Sequence, residues 1–205
     1  MSVSAITPVE RRMAATSARM VDVSREMTAE RGLSGFTIED VCEQVGVSRR
    51  TFFNYFASKE NAVLGLPARV DGSEQEEVFL NGSTTKSGEL SPNLVTDLGA
   101  LILARWHQLN LQPSDIPMLK AAFEREPRLA THLLQQAAEN SKIDIALLER
   151  REGLVPGDIR AKAAVHLIGS VLQMTTEQFF QSPKTTSFEV IFEQHLSAVR
   201  DVFAA

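Results

Sequence analysis

Between residues 45 and 59 the chain reads VGVSRRTFFNYFASK, a stretch holding Arg49, Arg50 and Lys59 and no acidic residue. The guanidiniums of Arg49 and Arg50, the amide of Asn54 and the hydroxyls of Ser48, Thr51 and Tyr55 fall within about two helical turns of one another. Arginine pairs bidentately with guanine and asparagine with adenine. Hydroxyl and ammonium groups hold phosphates. The free N–H groups of a capped helix start attract a phosphate as well. The chemistry on offer is recognition of double-stranded DNA, with base edges and backbone addressed by one short segment.

Two short helices must position these groups. Thr37 supplies a capping hydroxyl and Asp40 stands three residues later, an aspartate variant of the capping box. Ile38, Val41, Cys42 and Val45 then recur at i, i+3, i+4 and i+7, the spacing of a buried helical stripe. Gly46 breaks the helix. Ser48 caps a second helix through about Tyr55, in which Phe52 and Phe56, four apart, face the core. Two helices joined by the tight turn Val45-Gly46-Val47 form a helix-turn-helix, whose second helix enters the major groove with its N-terminal residues on base edges.

The surrounding chain is read as all-α. Residues from about Pro8 to Arg31 form a long first helix with Met13, Met20, Val23 and Met27 on one face, stopped by Gly32. Ser58 caps a fourth helix through Leu66. Residues 71–91 turn acidic and rich in Gly and Ser, which predicts a mobile connection with a short helical piece around Glu74 to Leu80. Further helices follow Pro92 and run over Pro113 to Glu124, from Pro127 to near Gly153, from Gly157 to about Gln181 and from Thr186 to the end. The expected organisation is a helix-turn-helix domain over residues 1–66 and a helical domain over residues 67–205.

Composition narrows the classes. The chain has 205 residues, 43% of them hydrophobic and 23% charged, with a net charge of −5. Residues 1–60 hold eight basic and eight acidic residues, so the deficit lies entirely beyond them. A neutral domain in an acidic chain contacts DNA through a few placed groups, not through a general basic coat. The lone cysteine, Cys42, excludes an intramolecular disulfide and fits a reducing, cytoplasmic setting. It sits on a buried stripe and reads as an inert core residue. The four histidines, His107, His132, His166 and His195, are scattered without metal-ligand spacing, and no phosphate loop or nucleophile elbow appears. No enzymatic activity, cofactor or metal is expected, and no membrane contact.

The segment resembles the N-terminal domain of the TetR/AcrR family of bacterial regulators. The resemblance rests on the long first helix ending in AERG, the Phe36-Thr37 entry and GVSRRTFFNYFASKE, with Gly46, Val47, Ser48, Phe56 and Lys59 matching the family pattern over about residues 8–66. Phe53 and Tyr55 depart from the Tyr and His frequent at those positions, which moves the phosphate-binding hydroxyl to Tyr55. Thr28 stands where a core Phe is common. The resemblance implies DNA contacts from Thr37, Ser48, Arg49, Arg50, Thr51, Asn54, Tyr55 and Lys59. It also implies a homodimer on a palindromic operator, a repressor released by a small apolar or aromatic effector. The last two long helices carry wide apolar faces, and Ile168, Leu172, Phe179, Phe188, Ile191, Phe192 and Val199 are the candidate dimer residues. Trp106, His107, Met118, Phe123 and His166 are the candidate lining of an effector pocket. The alternative is a helix-turn-helix factor without a small-molecule ligand, controlled by a protein partner or serving an architectural role.

Overall fold

A computed structural model describes residues 7–68, 73–109, 111–181 and 186–204. Every regular element among them is helical. The described elements are α1 (Pro8–Arg31), α2 (Ile38–Val45), α3 (Arg49–Tyr55), α4 (Lys59–Leu64), α5 (Glu74–Leu80), α6 (Leu94–Gln108), α7 (Ile116–Arg125), α8 (Arg128–Glu152), α9 (Ile159–Gln181) and α10 (Phe188–Ala204). Short 3-10 turns at Leu33–Gly35 and Pro113–Asp115 precede α2 and α7.

The helices gather into two units. The first holds residues 1–69 together with residues 109–134, and the second holds residues 70–108 and 135–205. In the first, α1 packs on α2, α4 and α7. The buried face of α1 is Met20, Val23 and Met27, with Ser24 and Thr28 fully enclosed beside them. Thr28 is compatible with this because its hydroxyl donates to the Ser24 carbonyl at 2.7 Å, so no polar atom of it is stranded. Met13, expected on the same face, is 52% exposed. Helix α7 contributes Leu119 and Ala122 and the start of α8 contributes Leu129, all buried.

Polar links tie these helices together. The buried Arg25 of α1 donates its Nε to the Val63 carbonyl of α4 at 2.9 Å, and its Nη1 lies 3.7 Å from Asp115. His132 of α8 donates Nε2–H to the Asn61 side-chain oxygen at 2.6 Å. Glu126 accepts from the Leu33 amide at 3.3 Å and from Arg128 Nε at 2.9 Å. The Arg128 guanidinium, with the Leu33 amide adding to it, holds the Glu126 carboxyl below its ordinary range. A depressed carboxylate stabilises the fold above its unfolded value, near about pH 4.3, and that contribution is lost as pH falls through the lower folded value. Acid titration of the melting temperature is therefore expected to show a fall beginning below about pH 4.3. Glu126→Gln should flatten part of it, and an unaltered acid limb would contradict the assignment.

The second unit has its core where α6, α8, α9 and α10 meet, in Leu98, Leu148, Ile168, Val171, Phe192 and Leu196. A Cβ at Gly99 would lie 3.1 Å from Leu196 and 3.4 Å from the Phe192 ring, so a glycine here lets α6 approach α10 closely. Between α5 and α6 the chain is not the loose connection its composition predicts. Ser91 donates its amide and hydroxyl to the buried Glu152 carboxylate at 3.0 and 2.8 Å. Asn93 donates to Asp97 at 2.8 Å, and Arg151 reaches Asp97 at 2.5 Å while lying over the Phe79 ring. Composition missed this because the anchoring partners, Arg151 and Glu152, lie some sixty residues further along the chain.

Candidate nucleic-acid interface

Local chemistry builds the helix-turn-helix as its spacing predicts. Thr37 caps α2, with its hydroxyl accepting from the Asp40 amide at 3.2 Å while the Asp40 carboxylate accepts from the Thr37 amide at 2.7 Å. That backbone donor, with the Thr37 hydroxyl, holds the Asp40 carboxyl below its ordinary value. Val41 and Cys42 are buried and Ile38 and Val45 half-buried. Gly46 ends α2 in the left-handed region at φ 79°, returning its amide to the Cys42 carbonyl at 2.9 Å. A Cβ there would meet nothing within 4 Å, so Gly46→Ala isolates backbone strain. It is expected to cost about 1–2 kcal/mol, read from denaturant unfolding; a neutral result would rule out that strain.

Ser48 then caps α3, accepting from the Thr51 amide at 3.0 Å and sharing a hydrogen with the Thr51 hydroxyl at 2.8 Å. Phe52 and Phe56 are fully buried and fix the helix by one face. That leaves Arg49, Arg50 and Asn54 exposed, with Thr51 and Tyr55 half-buried at the edge. Ser48 and Thr37 are exposed as well. The exposed face of α3 thus presents two guanidiniums and an amide flanked by hydroxyls. Arg49 pairs on the surface with Glu39 of α2 and lies 5.5 Å from the centre of the Phe53 ring.

Lys59 is placed differently from the other candidates. Its ammonium donates to the carbonyls of Leu33 and, at 3.0 Å, Phe36, and sits 5.0 Å from the Phe36 ring centre. The side chain clips the start of α4 to the link between α1 and α2. The family pattern marks this position, but the intramolecular acceptors become visible only in three dimensions. Arg19, not singled out by sequence, likewise donates to the Gln44 carbonyl at the end of α2 at 3.3 Å. Cys42 sits under this surface, and burial, with Glu39, pushes its thiol up against the opposing pull of Arg49. A protonated, enclosed thiol is a poor nucleophile.

The candidate effector residues are divided between the two units. Met118 and Phe123 belong to the first unit, exposed and half-buried, and Trp106, His107 and His166 to the second. Trp106 stacks on Phe188 with centroids 3.5 Å apart and meets Phe179 edge-on. His107 is exposed and pairs with Glu189 at 2.6 Å, and His166 is exposed. Of the candidate dimer residues, Ile168, Phe188, Ile191 and Phe192 are buried inside the second unit. Leu172, Phe179 and Val199 pack partly buried against the same core. Outward on these helices lie Met174, Val190 and Val202 with the small Gly169, Ser170, Ser197 and Ala198. The sequence stripe marks the inner face because the largest apolar residues lie there.

Among the described residues no helix is long and apolar enough to cross a membrane, and no group of His, Cys, Asp and Glu is placed to hold a metal ion. Residues 20–64 match the family described as bacterial regulatory proteins, tetR family. Over 203 residues the chain is 25% identical to the HTH-type transcriptional regulator TcmR of Streptomyces glaucescens, a match covering 95% of this chain and 88% of that protein. With the capped helix pair, the exposed guanidiniums and these two matches together, the chain is a helix-turn-helix DNA-binding transcriptional regulator whose residues 20–64 form a DNA-binding domain of the TetR type.

Proposed function

We propose that the protein is a homodimeric repressor that binds a palindromic operator and leaves it when a small apolar or aromatic molecule occupies its C-terminal helical part. The observation carrying the reading is the exposed face of α3, with Arg49, Arg50 and Asn54 presented beside a capped helix start. Arg49, Arg50 and Asn54 address base edges, and Ser48, Thr51, Tyr55 and Thr37 address phosphates. Lys59 acts mainly by fixing α4 under the motif, with one N–H left for a phosphate.

One α3 reads one half-site, and two-fold symmetry supplies a second about 34–36 Å away. The outward faces of α9 and α10, with Met174, Val190 and Val202 among small side chains, suit close approach of a second copy. Trp106 is the only tryptophan and lies in an aromatic cluster with Phe179 and Phe188, surroundings that favour a planar apolar effector. An effector releases DNA only by binding the non-binding arrangement more tightly.

Light scattering of the purified protein is expected to give twice the chain mass of 22.6 kDa, alone and on a selected duplex. A panel of lipophilic aromatic compounds should contain members that change Trp106 fluorescence and dissociate the duplex in the same concentration range. A monomer bound to a single half-site would overturn the dimer. Fluorescence and duplex binding both indifferent to the whole panel would favour the regulator without a small-molecule ligand.

A further inference from the structure

The start of α1 runs alongside α3 and leaves an open groove of about 500 Å³ between them. Val9, Arg12 and Met13 line one wall, and Val47, Thr51 and Tyr55 line the other. Val9 is 67% and Met13 52% exposed, although the apolar stripe of α1 that begins at Met13 continues into the buried Met20, Val23 and Met27. The stripe thus runs off the end of the core and onto the surface beside the recognition helix.

The groove is two-natured. Val9, Met13 and Val47 give it aliphatic surface, while Arg12 stands on one side and the hydroxyl-bearing Thr51 and Tyr55 stand on the other. No described residue lining it is acidic. Thr16, also at its edge, gives its hydroxyl hydrogen to the Arg12 carbonyl at 2.9 Å, which leaves the Arg12 side chain as the cation of that wall. A ligand matching this pattern carries apolar faces and single negative charges in alternation. A sugar-phosphate strand has that form, with deoxyribose rings between phosphates. Thr51 and Tyr55 belong to α3, so the groove continues the DNA-facing surface without a break.

We infer that this groove seats one strand of the DNA backbone flanking the base pairs read by α3. Arg12 pairs with a phosphate, the hydroxyls of Thr51 and Tyr55 donate to the same strand, and Val9, Met13 and Val47 pack against deoxyribose. The inference rests on α3 being the recognition helix. It makes the first turns of α1 a positioning element that sets the angle and depth at which α3 enters the major groove. Phosphate contacts of this kind carry affinity and register and no sequence preference of their own.

The test uses a duplex enriched by the wild-type protein from a random-sequence pool, with affinity measured across a salt series. Arg12→Ala is expected to weaken binding on the order of tenfold at ~0.1 M salt. It should lower the slope of log affinity against log salt by about 0.9, and do both equally on a duplex with a substituted half-site. Arg12→Lys keeps the slope, and Met13→Glu, which sets a carboxylate in the groove, weakens binding further. A neutral methylphosphonate at the contacted position should abolish the difference between Arg12→Ala and wild type. Arg12 and Met13 are exposed, so the melting temperature should not move. If Arg49→Ala weakens binding while Arg12→Ala changes neither affinity nor slope, the groove inference is overturned and the α3 reading stands. If Arg49→Ala and Arg50→Ala are also silent, the α3 reading has failed and the groove with it.

Discussion

Replacing both Arg49 and Arg50 with alanine is expected to weaken binding to a selected duplex by roughly 30-fold to 25,000-fold, taking about 1–3 kcal/mol for each bidentate contact with a base. Both side chains are exposed, and neither supports the fold beyond the surface pair of Arg49 with Glu39. An exposed pair of this kind is worth about 0–1 kcal/mol, so Arg49 exchanges Glu39 for a guanine edge at a net gain. Two subsidiary results follow from the same geometry. Glu39→Gln should tighten binding slightly, because it releases Arg49 and removes a negative charge near the phosphates. The double variant should also lose discrimination between the selected duplex and one with altered half-sites, since base contacts carry the sequence information. A titration showing unchanged affinity in the double variant would remove α3 from the interface. A melting temperature within a degree or two of wild type would show that the loss is not unfolding.

The second large effect concerns stability. Arg25→Ala is expected to destabilise the protein by about 3 kcal/mol, at the lower end for breaking a buried ion pair because Asp115 keeps some contact with solvent. Arg25 is 2% exposed. Its guanidinium ties three helices of the first unit, lying on α1, donating to the Val63 carbonyl of α4 and facing Asp115 at the head of α7. Burial pulls its pKa down while Asp115 and Asp22 pull it up. Loss of the cation leaves a carbonyl without its donor and a carboxylate without its counter-charge. Arg25→Met keeps the stem's volume and should recover a minor part of the loss. Combining it with Asp115→Asn should recover more, since the unpaired charge is then gone. A double-mutant cycle reads the coupling directly. Additive effects would show that Arg25 acts through packing alone.

Much of the DNA-binding motif was legible because its determinants are local. Thr37 with Asp40, Ser48 and Ser58 are each within three residues of the amides they cap, and Gly46 carries its own conformational reason. The helical class and nearly every helix boundary followed from periodicity and from Pro and Gly punctuation. Pairings between distant residues were not legible. The buried Arg25 reads as an ordinary helix-surface arginine until Val63 and Asp115 are brought to it. By pattern Lys59 reads as a phosphate contact, and its carbonyl partners Leu33 and Phe36 carry no sequence signal, since any residue has a carbonyl. Met13 reads as core by spacing, and only the end of the packed surface shows that it lies outside. On α9 and α10 the stripe identifies the face with the largest side chains, which the monomer buries in its own core.

The first unit is assembled from two separated stretches of chain, with α7 and the start of α8 packed where α1 and α4 leave a buried face. This sets an order of events on the ribosome. A nascent chain that has released residue 69 holds every side chain of the recognition motif, yet still lacks Asp115, Leu119, Ala122 and Leu129. At about 5–20 residues per second, the remaining stretch to residue 134 takes roughly 3–13 s to synthesise. During that interval Met20, Met27 and the Arg25 guanidinium have no finished surroundings. Translation arrested when residue 69 has just cleared the exit tunnel is expected to yield a protease-sensitive chain, and arrest far enough on for residue 134 to clear it a resistant one.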